Sequence, residues 1–139
     1  MSKRGYALDT NIVIKLLRPK SDPLVQARLD AALFNDVEIV IPQAVHYEML
    51  RGIYCRNAAS QEAWYRLFRD ICTVGMLTEI TWEYAALLYY KLRKKGCTIG
   101  DADILIGAFC LENNYTLVTA NTKDFRDMNG LRLEDWTQA

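Results

Sequence analysis

Two short apolar runs, each ending in polar side chains, constrain the fold of this sequence most strongly. Residues 6–8 lead directly into Asp9-Thr10-Asn11, and residues 116–118 lead into Thr119-Ala120-Asn121. Short apolar runs that end in polar loops are typical of buried strands in a parallel sheet. Ligands of open α/β sheets bind beyond the carboxyl ends of the strands. We therefore expect Asp9 and the loop 119–124 to share one edge of a sheet.

The remaining chain alternates between helical and extended patterns. Strands are predicted over residues 5–9, 37–41, 75–80 and 115–119 and near 131–133. Helices are predicted over about 11–17, from Pro23, over 43–55 and 62–72, from Thr81 to Gly96, and over 102–113. This alternation predicts an α/β fold, a three-layer α/β/α sandwich with a central, mostly parallel sheet. We expect residues 1–139 to form a single domain.

For two of these helices, the sequence also predicts how the side chains face the core. In the helix 62–72, the spacing of apolar residues predicts a core-facing side made of Trp64, Leu67, Phe68 and Ile71. In the helix 102–113, apolar residues occur almost all round, which is typical of a helix in the middle of a fold.

Composition excludes several classes of protein. The formal net charge is zero, which argues against a protein held on nucleic acid by a large basic face alone. No apolar stretch approaches the roughly 20 residues that span a bilayer. The N-terminal Met1 to Arg4 are not followed by a signal-peptide core, because Asp9 interrupts it, so we expect a cytoplasmic protein. The four cysteines include no C-x-x-C pair and the chain has one histidine, which disfavours structural zinc.

Four carboxylates stand where solubility does not require them, although each also has an ordinary structural explanation. Asp9 follows a buried strand and suits an N-cap. Glu48 lies beside the buried stripe of the helix 43–55, where a solvated position is the alternative. Asp103 lies in the first turn of the most apolar helix, where the helix dipole favours an acid. Asp124 follows the last long strand, in a loop where it suits a turn.

Taken together, these carboxylates predict a site for a hard divalent cation. Mg²⁺ prefers oxygen ligands and keeps waters for phosphate, whereas carboxylates crowded without a cation repel one another. Asp101 and Asp103 are two residues apart, about 200° round a helix, so they should not face one ion together. We expect Asp101 to be the N-cap of its helix and Asp103 to point into the site. His46 lies about 200° from Glu48 and is expected to be structural.

At these residues the sequence resembles the PIN-domain nucleases, in particular the VapC-type toxin ribonucleases of bacterial toxin-antitoxin pairs. The matching stretches follow in order along nearly the whole chain: residues 8–11, 48–52, 103–108 and 117–125. Individually these motifs are weak, but the ordered set is specific. The chain departs from the family pattern in two places, with Asn121 where many relatives have an acid, and with Gly107 where alanine is usual.

The resemblance implies a site and a chemistry. It implies cleavage of RNA with Mg²⁺ or Mn²⁺, through metal-activated water, and catalytic and metal-binding roles for Asp9, Glu48 and Asp103, with Asp124 as the candidate for a fourth acid. The side chains with implied supporting or water-orienting roles are Thr10, Asn11, Thr119 and Asn121. Arg51, one turn beyond Glu48, is a candidate contact to substrate phosphate, with ion pairing inside the fold as the alternative.

The resemblance also implies partners. These are an RNA substrate, a VapB-type antitoxin that lays a segment across the acidic groove, and a second copy of the chain in a homodimer. The alternative function is a PIN-like module that binds RNA or a partner without cutting. The complete set of acids favours the enzyme.

Overall fold

The structure, a computed structural model, describes residues 5–139; residues 1–4, which include the N-terminal segment assessed above for a signal peptide, lie outside it. Its strands are β1 (Tyr6–Leu8), β2 (Ile39–Pro42), β3 (Thr73–Gly75), β4 (Thr116–Val118) and β5 (Leu133–Glu134). They form one sheet in the order β3-β2-β1-β4-β5, and every adjacent pair is parallel. The predicted α/β fold is therefore confirmed.

Seven helices accompany the strands in the described part of the chain. They are α1 (Thr10–Leu16), α2 (Pro23–Phe34), α3 (Gln43–Cys55), α4 (Ala59–Asp70), α5 (Glu79–Lys94), α6 (Asp101–Asn113) and the single turn α7 (Thr122–Phe125). No helix within residues 5–139 is long and apolar enough to cross a membrane.

The pairing of β1 with β4 places the two polar segments side by side. Leu8 is in register with Val118, and the backbone N–H of Asp9 donates to the carbonyl of Val118 at 2.9 Å. Because the strands are parallel, both chains leave the sheet at the same edge, and Asp9 lies next to Thr119. The shared edge predicted from the two apolar runs is present.

Helix α6 lies in the core, as its nearly uniform apolar character predicts. Five consecutive residues, 106–110, are buried. The helix ends at Asn114, whose φ of 62° is the left-handed conformation that commonly stops a helix. Its other end brings Asp103 to the edge of the sheet where β1 and β4 end.

The predicted core-facing side of the fourth helix is wrong at three of its four residues; Phe68 alone is partly buried and packs against the core. Only Tyr65 of α4 is fully buried, while Trp64, Leu67 and Ile71 are exposed by 63–66%. The apolar spacing was read correctly as amphipathic, but the side that faces the core is the one centred on Tyr65. An apolar face therefore remains on the surface of the described chain.

The boundaries around α5 and α6 also differ from the prediction. The strand expected at 75–80 is Thr73–Gly75, and α5 begins already at Glu79. Thr78, not Thr81, is the N-cap; Thr81 instead completes a reciprocal capping box by accepting from the Thr78 N–H at 3.1 Å. Likewise Gly100 is the N-cap of α6, and Asp101 is its first helical residue.

The tight packing of β3 against β2 leads to a stability prediction. A Cβ atom on Gly75 would stand 2.8 Å from the Cα of Pro42 and 2.8 Å from the Cζ of Phe109. We expect Gly75→Ala to lower the free energy of unfolding by about 1–3 kcal/mol, because backbone on one side cannot yield. Chemical denaturation measures it.

Gly52 in α3 provides the matched control. A Cβ atom there meets only the end of the exposed Arg56 side chain, at 3.0 Å. Gly52→Ala should therefore stabilise the helix by up to about 1 kcal/mol. Equal effects of the two substitutions would contradict the role assigned to the Gly75 contact.

Candidate active site

Asp9 is a buried carboxylate held by three neighbours. The residue is only 4% exposed. Oδ1 accepts from the Thr10 backbone N–H at 2.8 Å, and Oδ2 accepts from the Thr119 hydroxyl at 2.8 Å and the Asn11 amide at 3.2 Å. Asp9 is the N-cap of α1, which confirms the structural interpretation, and the charge of Glu48 also acts on it.

The side chain of Asn11 fastens the end of β1 to the segment after β4. Its amide nitrogen reaches Asp9, while its oxygen accepts from the Ala120 N–H at 3.0 Å. Thr119, which is fully buried, accepts from the Asn121 N–H at 3.0 Å while donating to Asp9. These contacts fix the direction of the Asp9 carboxylate.

Glu48 enters the site from α3. The Thr10 hydroxyl donates to Glu48 Oε1 at 2.7 Å, which ties the start of α1 to α3. Arg51 stands 3.7 Å from Oε2 and lies over the ring of Tyr47, 5.1 Å from its centroid. In the structure Arg51 makes an ion pair within the fold. Tyr47 was not foreseen, although its spacing of four residues before Arg51 is the signal that would have found it.

Asp103 is the acid whose pKa the other three carboxylates affect. Its pKa is raised to about 6, first because burial penalises the charged form, and then because the charges of Asp9, Glu48 and Asp124 oppose it. The pKa of Asp9 is also raised, by burial above all and in part by Glu48, against the lowering effect of its hydrogen bonds. The charges of the other three predicted carboxylates, which stand on separate segments of the chain, thus act on Asp103.

The other predicted residues occupy distinct places. Asp124 is exposed on α7, within reach of the Asp103 charge. Asn121 is exposed as the N-cap of α7, and its backbone contacts Thr119. His46 is engaged elsewhere, with Nδ1 2.8 Å from the Tyr65 hydroxyl, in agreement with a structural role.

The donor set suits a hard divalent cation. Its chemistry is four carboxylates with hydroxyl and amide neighbours, the oxygen-rich environment that Mg²⁺ and Mn²⁺ prefer. No three of the acidic, histidine or cysteine side chains in residues 5–139 stand in a geometry for joint ligation of one ion. Mg²⁺ does not require three side-chain ligands, because this ion usually takes one or two carboxylates and keeps several waters. The donor chemistry fits an ion bound by one or two of these carboxylates and by water.

The sequence matches the PIN domain family over residues 6–131. It is 31% identical to Ribonuclease VapC1 of Haemophilus influenzae, covering 96% of this chain and 98% of that protein. It is 30% identical to Ribonuclease VapC2 of Rickettsia felis, covering 94% and 97%.

Solved structures agree with these relatives. A structure of VapBC2 from Rickettsia felis bound to a DNA fragment from its promoter contains a chain that superposes with a TM-score of 0.85 at 27% identity, covering 94% of this chain and 98% of that one. A chain of VapBC-1 from nontypeable Haemophilus influenzae gives 0.81 at 26% identity, covering 96% and 98%.

The fold, the site and these matches define the class: the chain belongs to the PIN domain family. Its curated relatives place it, within that family, among the VapC-type ribonucleases.

The raised pKa of Asp103 predicts a pH-dependent stability of the metal-free protein. Between the ordinary value of 3.8 and the folded value of about 6, the folded state binds more protons than the unfolded chain. The free energy of unfolding therefore falls as pH rises through this window. In EDTA at pH 7.5, we expect Asp103→Asn to raise Tm by on the order of a few degrees, allowing for solvent screening of a half-exposed group.

Asp101→Asn is the control, because it removes an exposed acid from the same first turn of α6. At pH 4 the advantage of Asp103→Asn over wild type should disappear, since the carboxylate is then protonated in the folded state. Thermal unfolding by circular dichroism measures both. A gain in Tm that is equal for the two variants, or independent of pH, would contradict the electrostatic account of the site.

Proposed function

We propose that this ribonuclease cleaves RNA phosphodiester bonds with Mg²⁺, or Mn²⁺ in its place, held among Asp9, Glu48, Asp103 and Asp124, by one or two of them directly and by the others through water. The observation that carries the proposal is the link through Thr10, whose backbone N–H donates to Asp9 and whose hydroxyl donates to Glu48. The charges of Asp9, Glu48 and Asp124 also act on Asp103 of α6. Crowded acids destabilise a fold unless a cation binds between them. A strand of RNA brings further negative charge, which only a cation makes tolerable in this place.

The side chains of the site have separable tasks in this proposal. When bound, the metal lowers the pKa of a water and offsets charge on the scissile phosphate. Thr119 and Asn11 hold the Asp9 carboxylate in one orientation, and Thr10 does the same for Glu48. The nearby histidine bonds Tyr65 rather than the acids, so proton transfer through His46 has no support from geometry.

Arg51 supplies the substrate contact. Its guanidinium group is about half exposed and only loosely paired with Glu48, at 3.7 Å, so it can turn toward a phosphate next to the acids. Asn121, exposed at the start of α7, is placed to orient water or a ribose hydroxyl. Both roles are assigned from position and chemistry.

The proposed partners follow from the relatives and from the surface. The solved relatives include toxin–antitoxin complexes, so we propose that this chain is a toxin held inactive by a small antitoxin in the cytoplasm, and that it forms a homodimer. Exposed apolar side chains support docking, because patches of this kind mark protein interfaces. The most exposed of them on α4, its C-cap and α5 are Trp64, Leu67, Ile71, Ile80, Trp82, Leu87 and Tyr90.

The catalytic proposal predicts that Asp9→Asn lowers RNA cleavage by more than about 100-fold, because a ligand is lost where even supporting residues are worth about 10–100-fold. Folding should survive, since the amide oxygen can still accept from the Thr10 N–H. Cleavage of a labelled RNA in Mg²⁺, with a parallel reaction in EDTA, measures the effect.

Asp101→Asn, outside the proposed metal ligands, is the matched control and should cut at the wild-type rate. Melting curves must show that Asp9→Asn is folded. Cleavage by Asp9→Asn at the wild-type rate would favour a module that binds without cutting. Activity that persists in EDTA would remove the metal.

The partner proposal predicts that a small protein encoded beside this one co-purifies with it when the two are expressed together. The complex should cut RNA at least about tenfold more slowly than the free toxin at equal concentration, because the antitoxin covers the acids. Light scattering of the free toxin should give twice the mass of one chain. A monomeric toxin, or a complex that cuts as fast as the free protein, would contradict these assignments.

A further inference from the structure

Helix α7 carries Asp124, and the segment that includes its end packs on α6 at Gly107, which has no side chain. Met128 and Phe125 are buried, 2% and 1% exposed. A Cβ atom on Gly107 would overlap the Sδ of Met128, stand 3.0 Å from its Cε and lie 3.8 Å from the Cδ1 of Phe125. The absence of a side chain at Gly107 thus creates a notch in α6, and Met128 fills it.

The notch lies on the side of α6 that faces the acids. Gly107 follows Asp103 by four residues, and residues four apart are neighbours on one face of a helix. The segment that packs on Gly107 therefore lies beside Asp103. Asp124, one residue before Phe125, is the acid from this segment whose charge reaches Asp103.

Helix α7 cannot hold Asp124 in place by itself. It is a single turn of four residues, and isolated turns are unstable in water. Asp124 is exposed, so no surrounding core fixes its carboxylate. The segment is anchored on both sides of the turn: the Asn121 N–H donates to Thr119 before it, and Phe125 and Met128 pack on α6 after it. Lys95 and Cys97 also contact Asp127, at 3.4 and 3.5 Å.

We propose that Gly107 and Met128 are positioning residues for Asp124, and that their close packing sets the distance of the fourth carboxylate from the metal site. Neither touches substrate or metal. A methyl group on Gly107 displaces Met128 and moves α7 away from α6, so Asp124 retreats while Asp9, Glu48 and Asp103 stay in place. The inference rests on the proposed function, because it assigns Asp124 to the metal site.

The test is a double-mutant cycle read by two measurements, Mn²⁺ affinity by electron paramagnetic resonance and RNA cleavage. Gly107→Ala should weaken Mn²⁺ binding and cleavage by roughly 10-fold, the same factor as Asp124→Asn. In the Asp124→Asn background, Gly107→Ala should cause no further loss, since both act through one carboxylate. Adding Met128→Val to Gly107→Ala, which shortens the side chain in the notch, should restore both measurements.

Gly75→Ala is the matched control for instability alone. Because the methyl group that it adds also meets Phe109 of α6, a second control is Leu29→Ala, which empties buried space on α2, a helix that carries none of the proposed site residues, and should leave Mn²⁺ affinity unchanged. If Gly107→Ala does not fold, Met128→Ala empties the notch instead and must show the same lack of additivity with Asp124→Asn.

The outcomes separate this inference from the proposed function. If Asp124→Asn weakens Mn²⁺ binding but Gly107→Ala does not, or if their losses multiply, the positioning role is wrong and the fourth acid stands. If Asp124→Asn changes neither measurement, the fourth acid and the positioning role fall together, while Asp9, Glu48 and Asp103 are unaffected. Failure of Met128→Val to rescue a folded Gly107→Ala also overturns the proposal.

Discussion

The rest of this structure depends on keeping one ionisable carboxylate, that of Asp9, almost out of contact with water. Burying a charge is costly unless donors surround it. Here the donors come from both sides of a parallel strand pair: Thr10 and Asn11 follow β1, and Thr119 follows β4. The register of Leu8 with Val118 is what aligns them. A shift of one residue in that pairing would leave Asp9 without Thr119, so sheet register and site chemistry are one constraint.

The second constraint is the repulsion between the acidic side chains of the site. Asp103 gains no stability from its three acidic neighbours, and Arg51 compensates for only one of them, loosely. Nothing in the fold of residues 5–139 requires these charges to be close. Substitutions that remove such a cluster would stabilise the protein, so a cluster that is retained is expected to serve function. The metal-binding interpretation explains in one step why the four acids occupy these positions.

The sequence allowed the shared edge of β1 and β4 to be predicted better than the faces of the helices. Parallel strands that end in Asp9 and Thr119 have little choice but to share an edge, so these two residues were predictable from pattern alone. The apolar spacing of α4 was visible too, yet Trp64, Leu67 and Ile71 remain exposed. Helical spacing shows that a face is apolar but does not say whether it is covered by this chain or by another. The start of α5 was misplaced for a local reason, because Thr78 and Thr81 both suit a cap.

The place of Asp124 shows where prediction from one sequence ends. As a turn residue in a polar loop it was no more distinctive than its neighbours, and a four-residue helix has no periodicity to read. In the positioning role proposed for Gly107 and Met128, a missing side chain is matched by a long one 21 positions away in sequence. Such a pair is complementary only once α6 and α7 are in contact. The glycine that stands where relatives usually have alanine therefore leaves room for Met128, a match that no periodicity in either segment reveals.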